Sequence, residues 1–163
     1  MKVVSKQKNS RSCFICGLYN PIGLKAEFYN MEDNSVMTLF KYKFEHQSFP
    51  QRVHGGLIGT MLDELAMRAY WTQDENMLGV TTSMETKFRK PVPYDVELIG
   101  KGIIISDTSR FFKAQTQILD RDGKVYAEGI TNYIKMPAEK IAKDINYHEE
   151  MIYFADSMLS EIC

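Results

Sequence analysis

No apolar run in the 163 residues approaches the roughly 20 needed to cross a bilayer, so no membrane segment is expected. The opening MKVVSKQKNSRSC is charged and has no apolar stretch, and it is not expected to act as a signal peptide. A basic excess is missing too. Lys and Arg number 20 against 21 Asp and Glu, which argues against a nucleic-acid partner but leaves room for a small anionic ligand held by a few local cations. Cysteine is scarce and odd in number, at 3, which fits a reducing, cytoplasmic setting better than a disulfide scaffold. Internal repeats and low-complexity tracts are absent.

The remaining composition is that of an ordinary globular protein, with 44% hydrophobic and 25% charged residues, and the length suits one domain with a real core. Residues 1–12, rich in Lys, Ser, Asn and Gln, show no apolar pattern and are expected to be mobile. In CFICGLYNPIGLKAEFY, Asn20-Pro21 and Gly23 mark turns before a strand-like LKAEFYN. SVMTLFKYKFEHQSF reads as one or two strands. After Gly55 the period changes: Leu57, Ile58, Met61, Leu62, Leu65 and Ala69 form one helical stripe that runs to Trp71. Strands then dominate in GVTTSMETKFRKPV, DVELIGKGIIIS, SRFFKAQTQIL and KVYAEGITNYIKM, the last two joined by a hairpin at Asp122-Gly123. From Tyr147, the spacing of Met151, Ile152, Ala155, Met158, Leu159 and Ile162 predicts an amphipathic helix. The order predicts an α+β domain whose antiparallel sheet packs on one long helix, with residues 13–136 as the domain and 137–163 as a helical extension.

Two features of that helix point to chemistry. Gly55 and Gly56 stand where it begins, and a helix start offers unpaired N–H groups and a dipole that favours negative charge. Such donors are suited to an oxyanion in acyl transfer. The pair also serves as a simple tight turn. The second feature is Asp63, two turns inside, on the stripe of Gly56, Gly59, Thr60, Met67 and Tyr70, with no basic residue three or four positions away. A carboxylate so placed suits a general base that activates water; the plainer reading is a polar residue satisfied by Thr60 or Tyr70. Its neighbour Glu64 has Arg68 four residues on and reads as half of a weak surface ion pair. His54, before the glycines, either steers substrate or fixes the loop.

Gly55 and Asp63 are 8 positions apart, or about 12 Å along a helix. Groups that flank one carbonyl must come within about 3–4 Å of it. One helix therefore does not readily supply both, whereas two antiparallel copies do, which predicts at least a dimer with two equivalent interfacial sites.

HGGLIGTMLDE, with nine positions from His54 to Asp63, resembles the helix signature of the hotdog-fold acyl-CoA thioesterases, in particular the phenylacetate-pathway type. CFICGLYNPIGL and GVTTSMETKFRKPVP resemble further elements of that family, so the likeness spans about residues 13–136. The resemblance implies a sheet wrapped around one long helix, a homodimer joined edge to edge, often paired into a homotetramer, and an acyl-CoA substrate. By position it implies that Gly55 polarises the thioester carbonyl, that Asp63 of the partner subunit is base or nucleophile, and that Thr81 helps position the water. Ser48 stands where some relatives carry an Asn, with Gln47 as a substitute, and Gly56 and Thr82 join the substrate-binding set. Lys87, Arg89 and Lys90 offer a cationic patch for the phosphates of coenzyme A, or a solvated strand end.

Cys13 and Cys16 form a CxxC. A structural zinc needs four ligands and Cys163 is the only other cysteine, so a packing role and no metal are expected, with a zinc shared across a dimer as the alternative. No cofactor is expected beyond the CoA of the substrate. Besides a hydrolase, the sequence admits a hydratase or dehydratase of acyl thioesters and a non-catalytic acyl-CoA-binding module.

Overall fold

The computed structural model describes residues 1–141, 143–152 and 158–162. Its longest helix, α1 (Gly55–Tyr70), begins where the sequence changes period. His54 caps it in an extended conformation, its ring Nδ1 accepting the Gly56 N–H at 3.0 Å. Ile58, Met61, Leu62, Leu65, Ala66 and Ala69 are all buried along one side, which is what an apolar stripe at helical spacing requires. The helix ends at Trp71, whose indole N–H donates to Met77 O (3.1 Å) and so folds the chain back into the next strand.

Among the described residues there are nine strands, in chain order β1 (Val3–Lys6), β2 (Asn9–Ser10), β3 (Tyr29–Met31), β4 (Val36–Phe40), β5 (Met77–Phe88), β6 (Leu98–Asp107), β7 (Phe111–Leu119), β8 (Val125–Pro137) and β9 (Met151–Ile152), the first four of them before α1. Seven make one antiparallel sheet in the order β1-β3-β4-β6-β7-β8-β5, and β2 pairs with β9 apart from it. The sheet packs on α1 through alternate residues of β6, β7 and β8, such as Phe112, Ala114, Ile118, Ala127 and Tyr133. The expected hairpin joins β7 to β8 and turns at Gly123 (φ +77°), with Asp120 accepting from the Asp122 and Lys124 amides. No described helix is long and apolar enough to cross a membrane.

Three expectations change. The first dozen residues hold β1 and β2, and their burial is polar: the Gln7 amide donates to Arg68 O (2.9 Å) and the Asn9 amide to Cys16 O and Ala26 O (2.8 and 3.0 Å). Hydropathy does not register such a segment. Of LKAEFYN only the last two residues, Tyr29 and Asn30, are strand, because the Leu24 and Ala26 amides instead bond Phe14 O and Ile15 O; Phe44–His46 is a 3-10 turn. The helix expected from Tyr147 is a single turn, α3 (Tyr147–Glu150), after which Met151 and Ile152 are drawn into pairing with β2. A further turn, α2 (Ala138–Ile141), precedes it. Ala155 lies outside the described residues; Met158 is exposed, and Leu159 and Ile162 pack with Tyr29, Met31, Met37 and Ile99.

Candidate active site

Asp63 leaves α1 toward β5 and β8. The two strands are in register so that Thr81 lies opposite Tyr133, and both hydroxyls reach the same carboxylate oxygen. Tyr133 Oη is 2.7 Å from Asp63 Oδ1 and 2.7 Å from the Asp63 carbonyl, and the Thr81 hydroxyl donates to Oδ1 at 3.0 Å. No cation pairs with Asp63 among the described residues. Tyr133 is itself rigid: its ring stacks on Phe112 (4.6 Å between centroids), which stacks on Tyr70 (4.5 Å). Burial, then the charge and hydrogen bond of Asp63, push the Tyr133 phenol far above its usual range, so it stays a donor at any working pH. Thr60, one of the two partners the plainer reading offered for Asp63, donates to Gly56 O (2.8 Å).

At the helix start the two glycine amides differ. That of Gly56 is taken by the His54 ring, so His54 acts as the cap of the helix, whereas the Gly55 N–H has no acceptor among the described residues. Gly55, Gly56, Gly59, Thr60, Asp63, Thr81, Met84, Thr86 and Phe88 line one open groove of about 450 Å³ between α1 and β5. The Phe88 ring lies over Gly55 and is 56% exposed, so it forms a wall of this groove rather than part of the core.

A second groove, of about 380 Å³, shares Gly55 and Phe88 with the first but not Asp63, and brings in Ser48, Arg89 and Lys90. Gln47 lines neither groove; its side chain accepts the Gln51 amide at 3.3 Å and holds its own loop. Thr82, at a bulge in β5, donates to Asn132 O (3.0 Å). The expected cationic patch is divided. Lys87 pairs with Glu85 (3.3 Å) beside the other face of the sheet, Arg89 is held by Glu128, and Lys90 has no ion pair among the described residues. Glu64 and Arg68 do pair, at 2.9 Å, but Arg68 is 2% exposed, so this is a buried bridge and not a surface one. The cover comes from the rings of Phe28 and Trp71 and from Lys8 O, all remote in sequence from the helical pair except Trp71.

Tyr133 and Phe88 went unnoticed in the sequence. The only signal for Tyr133 was its place on the strand that would neighbour β5, and register alone fixes which of its residues faces Asp63.

Residues 51–127 match the thioesterase superfamily. No curated protein sequence matches the chain. Among solved structures, a thioesterase superfamily protein is 23% identical with a TM-score of 0.70 over 76% of this chain and 63% of that one, so the chain spans less than two thirds of that relative. A hypothetical thioesterase from Streptococcus pneumoniae, solved with coenzyme A, is 18% identical (TM-score 0.62, 69% of this chain and 86% of that one). Zebra fish thioesterase superfamily member 2 is 17% identical (TM-score 0.61, 68% and 80%). At such identities the likeness of structure speaks for the fold, while the matched segment runs from the start of α1 through β7 into β8. With a seven-stranded antiparallel sheet packed on that helix, the chain has the hotdog fold, and its residues 51–127 are similar to the thioesterase superfamily.

Proposed function

We propose that the protein is an acyl-CoA thioesterase whose sites form between two copies of the chain. One observation carries the reading: Asp63 lines an open groove, and both hydroxyl donors to its side chain use the same oxygen. Oδ2 is left to take a proton from water. The resulting hydroxide attacks the thioester carbonyl, whose oxygen becomes an anion at a Gly55 N–H, and the CoA thiolate leaves and is protonated. Because Gly55 and Asp63 of one helix are about 12 Å apart, the Gly55 that serves a given Asp63 belongs to the other copy. Coenzyme A as carrier is supported by the S. pneumoniae relative solved with it, and Lys90 and Arg52, which line the second groove without an ion pair among the described residues, are cations that can meet a phosphate. Met84 and Phe88 give the groove apolar walls, which suits a medium-length or aromatic acyl group.

The test is release of free thiol from a panel of acyl-CoA substrates. Asp63→Asn is expected to lower turnover about 10²–10⁴-fold with little change in melting temperature. Undiminished turnover in that variant removes Asp63 from the mechanism. Hydration of an enoyl-CoA, or tight binding without thiol release, replaces the hydrolase by one of the other two functions.

A further inference from the structure

Behind the candidate active site, on the other side of α1, Cys13, Cys16 and Glu64 bring their ligand atoms within 4.8 Å of one another. We infer that these three side chains form a metal site for a soft divalent cation, zinc in the first place, that ties the N-terminal loop to α1.

The loop is built to present sulfur. Cys13 Sγ accepts the amides of Ile15 (3.3 Å) and Cys16 (3.4 Å), the hydrogen bonds that stabilise a thiolate. The turn is tight: a Cβ on Gly17 would lie 2.2 Å from Cys13 O, so only glycine lets the chain close behind the two cysteines. Asn9 and Ala26 pin it from outside, through Cys16 O and Ile15 O.

Glu64 divides its two oxygens. Oε1 takes the Arg68 guanidinium at 2.9 Å, and Oε2 is presented to Cys13 Sγ at 3.8 Å. A carboxylate metal ligand oriented by a second residue is common. Tetrahedral zinc, with Zn–S of about 2.3 Å and Zn–O of about 2.1 Å, sets its ligand atoms about 3.6–3.8 Å apart. A contraction of about 1 Å at most reaches that geometry from the spacing found. Charge agrees as well: two thiolates and one carboxylate carry three negative charges, which a divalent ion and the buried Arg68 neutralise. On binding, the two thiol protons pass to solvent.

Three protein ligands leave one position for water. Tyr147 Oη is buried and has no hydrogen-bond partner among the described residues.

The experiment uses the full chain, reduced and stripped with a chelator, and titrates it with Co²⁺ alone. One equivalent per chain is expected, with thiolate-to-cobalt charge-transfer absorption that Zn²⁺ then displaces. Cys13→Ser and Cys16→Ser should each abolish the absorption; Glu64→Gln should keep it and weaken binding about 10–100-fold; Asp63→Asn should leave it unchanged. Wild-type protein that shows no charge transfer overturns the inference without recourse to any variant. So does absorption that survives Cys13→Ser, or elemental analysis of freshly purified protein that finds no metal while Cys13 and Cys16 are joined in a disulfide.

Discussion

Asp63 is anchored by hydroxyls rather than by a cation, and the difference is chemical as well as structural. An arginine would neutralise the carboxylate and could occupy both of its oxygens; a phenol and an alcohol orient it through Oδ1 alone. Tyr133→Phe removes the better of the two donors while keeping the Phe112 stack. Turnover is expected to fall about 10-fold, equivalent to about 1.4 kcal/mol, with KM little changed, in steady-state thiol release. Thr81→Val should cost less, since its contact is longer and its side chain exposed. Arg68 behaves differently. It is buried between Phe28 and Trp71 and donates to Glu64 and Lys8 O, so Arg68→Met leaves those acceptors unpaired and is expected to lower stability by about 1–3 kcal/mol in urea unfolding.

Among the elements, α1 was the most legible in the sequence, because its signals are local: a period of 3.6, a glycine pair, and no proline from His54 to Trp71. The β7–β8 hairpin was legible for the same kind of reason. Helical spacing also paired Glu64 with Arg68, but it carried no information about what lies on top of them, and the burial comes from Gln7, Lys8 and Phe28. Asp63 was separable from Glu64 on the wheel, yet its partner Tyr133 is 70 residues away and known only from register. The N-terminal strands were illegible because they bury amides rather than hydrocarbon. Close approach of helix to sheet is equally hidden. A Cβ on Gly102 of β6 would lie 2.6 Å from Leu65 O, a backbone atom that cannot rotate away. Gly102→Ala must push α1 off the sheet, with an expected loss of about 1–3 kcal/mol and a melting temperature lower by a few degrees in thermal unfolding.

For the whole molecule the telling feature is β5, the last strand of the sheet, with one edge unpaired and Val80, Met84 and Phe88 exposed. A long strand edge with apolar side chains invites a second strand, and in the proposed dimer a second copy of β5 would continue the sheet across a two-fold axis. That arrangement is decided by complementation. Proline at position 55 removes the one free amide; it is tolerated at a first helical position, and His54 already has the extended backbone (φ −64°, ψ 132°) that a following proline demands. Gly55→Pro and Asp63→Asn should each be inactive as homodimers with the fold intact. Refolded together in equal amounts, chains pair at random and half the dimers are mixed. If each site draws Gly55 from one chain and Asp63 from the other, every mixed dimer has one intact site, and about a quarter of wild-type activity returns. If both groups come from one chain, every site keeps a defect and the mixture is as inactive as its parents, which would place hydrolysis within a single protomer and leave the β5 edge without a catalytic role.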